Sequence, residues 1–217
     1  MATSKKPTSS AAERDAQLTC VSPAAWLAWL AKHHASSTGV WLRIAKKDGG
    51  HRSVSYAEAI EGALMWGWID GQKDKLDDTH WLQRFSPRAA RSPWSKINRD
   101  KATALLAAGK LEAPGVAEVE RAQRDGRWER AYDSPSASTV PADLAAALAA
   151  NGQAAKRFAT LDSANRYAIL YRVQAPKLAE TRARKIAEYV AMLARGETLH
   201  PQKPPKKPTA KTKTKRG

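Results

Sequence analysis

The spacing of apolar residues changes character once along this chain, at Asp133 to Thr139 (DSPSAST). Small polar residues and a proline hold neither a helix face nor a strand. Upstream, segments of helical spacing alternate with β-rich runs. Downstream, every segment has helical spacing. Such a chain folds as an α+β class protein: a first unit with an antiparallel sheet, residues 18–135, and an all-α second unit, residues 140–197. A leader, 1–17, and a tail, 198–217, flank them. Both are too polar to contribute a core, and disorder is expected for each.

Within the first unit, Ser22-Pro23 reads as an N-cap followed by proline at the first helical position, and Trp26, Leu27, Trp29 and Leu30 supply the apolar face. Val40 to Ala45 is β-rich. Ser55 with Glu58 predicts a capping box on a second helix. Met65 to Gly71 is expected to leave that helix as a strand. Asp77 to Thr79 is a turn, and His80 to Phe85 returns with Trp81, Gln83 and Phe85 on one face and Leu82 and Arg84 on the other. Two helices follow, closed by Gly109 and Gly126. In the second unit Pro141, Asn151-Gly152, Asp162-Ser163, Pro176 and Gly196 punctuate four helices.

Charge narrows the function classes. The 217 residues hold 37 Lys and Arg against 21 Asp and Glu, a formal net charge of +16. Much of the excess lies in the tail, where residues 200–217 carry seven basic and no acidic side chains. A tail like this is solvated and solubilising, or attracts nucleic acid weakly and nonspecifically through residues 203–216, or touches a membrane surface. No stretch approaches the roughly 20 apolar residues of a membrane span. The opening MATSKKPTSSAA lacks the apolar core of a secretory signal, and the single Cys20 requires no oxidising compartment, so the expected location is the cytoplasm. Cys20 has no base tied to it by motif and reads as a packed, inert thiol.

The strongest chemical grouping is Arg84, Arg88, Arg91 and Lys96, interleaved with Phe85 and Trp94 ahead of a helix. Forked guanidinium donors, a helix N-terminus and a stacking ring suit an anionic ligand or acidic partner. The alternative is that these arginines pair with Asp70, Asp74, Asp77 and Asp78 on the neighbouring hairpin. Trp66, Trp68 and Trp81 are a second grouping. They belong either to a core stacked on Trp26 and Trp29 or to an aromatic pocket that Gly67 lets a ligand approach. The four aspartates are spaced by 4, 3 and 1, which fits no Ca²⁺ loop, and Lys73 and Lys75 oppose a cation. His33, His34, His51 and His80 show no metal-ligand spacing. The GxGxxG, GxxxxGK[ST] and GxSxG patterns are absent, so neither a metal, a cofactor nor a catalytic residue is expected, and the chain reads as a non-enzyme.

The run GWIDGQKDKLDDTHWLQRFSPRAARSPWSKIN (67–98) resembles the YdeI/OmpD-associated, or bacteriocin-protection, family. So do Arg127-Trp128 with Ala131-Tyr132-Asp133, and residues 140–161 and 174–196. The first unit is similar to the YjbR/CyaY-like superfamily of small α+β domains. The resemblance implies a role in tolerance of bacteriocins or cationic antimicrobial peptides, or in stress response, and supplies no catalytic residue. A chain at +16 repels cationic peptides at close range, so the implied protection is indirect, through an anionic ligand or acidic partner. A nucleic-acid-binding accessory role, using the basic loop and tail, is the alternative.

Overall fold

Ser22 opens the first helix: its hydroxyl accepts the Ala25 N–H at 3.3 Å, and Pro23 begins α1 (Pro23–His33). Strand β2 (Val40–Ala45) follows, then α2 (Tyr56–Met65), whose capping box forms reciprocally between Ser55 and Glu58. The hairpin consists of β3 (Trp68–Lys75) and β4 (His80–Pro87). Helix α3 (Lys96–Ala107) is capped by Ser95, and α4 (Ala113–Arg124) ends just before Gly126. The second unit holds α5 (Ala142–Ala149), α6 (Gly152–Ala159), α7 (Ser163–Gln174) and α8 (Ala179–Ala194).

This architecture comes from a computed structural model, which describes residues 16–47 and 50–202. The leader up to residue 15 and the basic tail from residue 203 lie outside the described residues. An α+β fold is observed, with the chain dividing between Tyr132 and Asp133 into two compact units. The sequence reading lacks one element, strand β1 (Gln17–Thr19), which pairs parallel to β2. The sheet order is β1-β2-β4-β3, with the other pairings antiparallel.

Register explains the core of the first unit. Val40 lies opposite Phe85, Leu42 opposite Gln83 and Ile44 opposite Trp81, so these residues share one face. That face packs with Trp26 and Leu30 of α1, Ala59, Ile60, Ala63 and Leu64 of α2, and residues of α3 and α4. Trp26 is fully buried and donates its indole N–H to the Ala59 carbonyl at 3.0 Å. Buried Gln83 fills a bulge between Asp70 and Lys73, donating to the carbonyls of Gly71 (2.9 Å) and Gln72 (3.1 Å). Cys20 belongs to the core, and burial pushes its thiol up to about 11, far from thiolate reactivity.

Gly67 corrects one expectation. The strand does not run from Met65: Trp66 closes α2, Gly67 turns the backbone with φ +71°, and β3 begins only at Trp68. The space above Gly67 is taken by α4. An added Cβ would stand 2.8 Å from the Pro114 carbonyl. Gly115 is tighter still, because a Cβ there would collide with the Met65 carbonyl and lie 2.8 Å from that of Leu64.

The second unit has its own core, built on Leu144, Leu148, Phe158, Ile169, Leu170, Val173, Ile186, Tyr189 and Leu193. Its one fully buried amide, Asn165, bonds Asp162 and both backbone groups of His200, tying the segment after α8 to the start of α7. Arg182 on α8 holds Asp143 of α5 through two bonds of 2.6 and 2.8 Å and donates to the Val173 carbonyl.

Gly115→Ala is expected to lower unfolding stability by roughly 1–3 kcal/mol, since backbone carbonyls cannot step aside. Gly152→Ala, at an open helical position, should instead gain up to about 1 kcal/mol. Urea denaturation of the two variants checks both signs.

Candidate functional site

Pro87 ends β4, and the chain then turns inward. The Arg88 N–H donates to the Gly67 carbonyl at 3.1 Å, which fixes the root of the loop to the α2–β3 turn. At the far end Ser95 caps α3, while Trp94 and Lys96 are pinned to Tyr132 by two backbone bonds of 2.9 and 2.8 Å. Between these anchors Arg88 is 5% exposed and Trp94 2% exposed. The guanidinium carbon of Arg88 lies 3.6 Å from the Trp94 ring centroid, and Trp128 meets that ring edge-on at 4.9 Å.

Arg88 is incompletely satisfied. Its Nη1 donates to the Pro93 carbonyl at 3.3 Å, but Nε and Nη2 are buried without a partner. The Trp94 indole N–H is in the same state. Two more arginines border the loop. Arg127 donates to the Ser92 carbonyl at 2.8 Å and holds Asp125, yet its Nη2 is buried and unmatched. Arg121 reaches the Ala89 carbonyl at 3.5 Å and pairs with Glu118, and its Nε has no partner. Burial pushes the Arg88 guanidinium down to about 10. Glu118, Tyr132 and Asp70 oppose that shift, and Arg127 reinforces it. At neutral pH the group is therefore still charged, in surroundings that resist the charge.

The structure separates the residues that the sequence grouped. Arg88 and Trp94 come together. Arg84 lies on the opposite face of β4 from Phe85, across from Trp41, and donates to the Thr38 carbonyl at 3.4 Å. Arg91 is exposed on the loop, and Lys96 begins α3. The central arginine of the group points inward, because the Trp94 ring and the Pro93 carbonyl give the guanidinium a face and an acceptor. Nor do the hairpin aspartates satisfy Arg88 by direct bonds. Asp70 accepts the Tyr56 hydroxyl at 2.7 Å, and Asp77 accepts three bonds from Thr79 and His80, which hold its carboxyl well below the usual range.

The three tryptophans also part. Trp68 is core, edge-on to Trp29 at 5.8 Å, with its N–H on the His34 carbonyl. Trp66 stacks obliquely on His34 at 4.5 Å. Trp81 is half-buried beside Tyr56 and lines a surface cavity. They form no common pocket. Sequence reasoning missed Glu118, Arg121 and Arg127 as neighbours of Arg88. The adjacent Arg127-Trp128, a second cation beside a ring, was the available signal. Among the described residues no group of three or more His, Cys, Asp or Glu is placed to hold a metal, and no helix is long and apolar enough to cross a membrane.

Around Arg88 the carboxylates are engaged and the unmatched groups are all donors. Such a constellation has the donor chemistry that oxygen-rich anions require. In the second unit the comparable feature is a cleft of about 410 Å³ between α5 and α8, apolar except for the Asp143–Arg182 pair.

Residues 137–196 match the family model described as bacteriocin-protection, YdeI or OmpD-associated. This stretch contains two of the segments that carry the resemblance, 140–161 and 174–196. Residues 18–118 match a second model, a domain of unknown function (DUF8412), and this match contains Arg88 and Trp94. The YjbR/CyaY-like kinship expected for the first unit finds no support in either match. No curated protein and no solved structure matches the chain.

Replacing Arg88 tests the reading of its environment. Arg88→Met keeps the apolar stem over Trp94 and removes a partly unmatched buried charge, so the folding free energy should stay within about 1 kcal/mol of the wild type or rise. Trp94→Ala, which empties the floor of the loop, should cost roughly 3–5 kcal/mol. Chemical denaturation at pH 7 measures both.

Proposed function

We propose that this protein serves a bacteriocin-protection role as a non-enzymatic, cytoplasmic binding protein whose first unit recognises an oxygen-rich anion at the Arg88 loop. The role rests on the match over residues 137–196. The recognition rests on one observation: Arg88 is 5% exposed with two guanidinium nitrogens lacking partners, beside equally unmatched nitrogens of Trp94 and Arg127. Buried donors of this kind carry a desolvation cost that an anion offsets. Guanidinium groups and an indole N–H together match several oxygens of a phosphate-type group. The loop residues outside Arg88, namely Ala89, Ala90 and Arg91, are exposed, so the loop can move aside without disrupting the core.

Direct capture of a cationic peptide is disfavoured by the net charge of +16. Protection is instead indirect, with the anion-bound protein acting on a further component of the cell.

Thermal denaturation of the full chain in inorganic phosphate, against chloride at matched ionic strength, tests the reading. A ligand at a hundred times its Kd stabilises by about 2.7 kcal/mol. The wild type should show a saturable rise in midpoint that Arg88→Met lacks. An equal response in both proteins would assign the effect to general screening and remove the site.

A further inference from the structure

A second feature lies at the other end of the β3–β4 hairpin, seven residues along β4 from Arg88, or about 23 Å at the usual strand rise. There a cavity of about 520 Å³ is lined by Lys46, Lys47, Lys73, Lys75, Asp74 and Trp81, together with Ala45. The volume lies within the range of small-molecule sites. Register builds the wall: Lys75 stands opposite Trp81, and Lys73 is two residues along on the same face. The Lys73 ammonium sits 4.2 Å from the Trp81 ring centroid. Tyr56 lies 5.6 Å from the ring in a tilted arrangement, and Trp81 packs partly against the core.

Two carboxylates near this cavity already accept hydrogen bonds. Asp74 accepts the Lys75 N–H at 2.8 Å, and Asp77 is consumed by its own turn. Lys46 is fixed by bonds to the Thr79 and Asp77 carbonyls, at 2.7 and 2.8 Å, which leave its charge intact. Lys47, Lys73 and Lys75 have no carboxylate partner among the described residues. The cavity thus joins one aromatic platform to four ammonium groups, with a single carboxylate among the described lining residues.

We infer that this cavity binds a planar aromatic ligand bearing phosphate, of the nucleoside diphosphate class. The base stacks on Trp81 in the place of the Lys73 ammonium. Lys73 then swings toward the phosphates, joining Lys46, Lys47 and Lys75. Stacking on an indole is stronger than an exposed cation–π contact, so the exchange is favourable. Four ammonium groups gathered around a single ring fit one nucleotide better than an extended acidic peptide. The inference is independent of the Arg88 site.

Calorimetric titration of the full chain with ADP at physiological salt tests it, with inorganic pyrophosphate, adenosine and a single-stranded oligonucleotide as comparison ligands. ADP should bind the wild type and Arg88→Met equally. Lys73→Gln combined with Lys75→Gln should weaken it at least tenfold, and Trp81→Leu should reduce it to the affinity of pyrophosphate. Circular dichroism confirms folding. If Trp81→Leu unfolds, the lysine variant and the ADP-to-pyrophosphate ratio decide. Unchanged ADP affinity in the lysine variant would overturn the site, assigning any binding to the basic termini. Pyrophosphate bound as tightly as ADP by the wild type would overturn the stacking half. An oligonucleotide bound far more tightly than ADP, and lost in the same variants, would overturn the free-nucleotide assignment in favour of single strands.

Discussion

The first unit is organised by a backbone-on-backbone contact between the end of α2 and the start of α4. Gly115 lies against the Leu64 and Met65 carbonyls, and Gly67 against that of Pro114. Neither position has room for a side chain. This close approach directs several elements at once. It sets where β3 departs, because Gly67 is also the turn between helix and strand. It places Glu118 and Arg121 of α4 beside the loop that follows β4. It positions the Gly67 carbonyl that receives the Arg88 N–H. The arrangement of cations around Trp94 is thus a consequence of two missing side chains some distance along the chain.

Given that frame, the state of Arg88 is a matter of competing magnitudes. Burial disfavours its charge, and Glu118, Tyr132 and Asp70 restore only part of the loss. The ring of Trp94 contributes through its face, which is weaker than a carboxylate at hydrogen-bonding distance. A charge held this way is tolerated by the fold rather than a source of stability. The lysines at the other hairpin end present the opposite case: Lys47, Lys73 and Lys75 are exposed, and Lys46 is held by the Asp77 carbonyl. One hairpin therefore has a buried cation at one end and a surface group of cations at the other.

Much of the fold was legible because its helix starts are written in local chemistry. Ser22, Ser55 with Glu58, and Asp162 cap helices through their own side chains as expected, and Ser95 and Asn151, not read as caps, do so too. The pairing face of β4 was readable from alternation alone. Strand β1 was not, since three residues with one apolar side chain carry no period and its partner lies more than twenty residues away. The start of β3 misled because a strand read from Met65 assumes extended backbone at Gly67, and φ +71° breaks that assumption. The inward turn of Arg88 was illegible for a related reason. Its acceptor and its ring come from Pro93 and Trp94, and its cationic neighbours from α4 and the segment after it. Nothing local distinguishes Arg88 from Arg91, which stays outside.

The amide of Asn165 bears on where the second unit ends. The matched family stretch stops at residue 196, yet the buried side chain depends on His200, whose backbone supplies one donor and one acceptor to it. A fragment trimmed to the matched stretch would strand that amide in the interior. The functional boundary of the helical unit therefore lies at least four residues beyond the edge that sequence similarity draws.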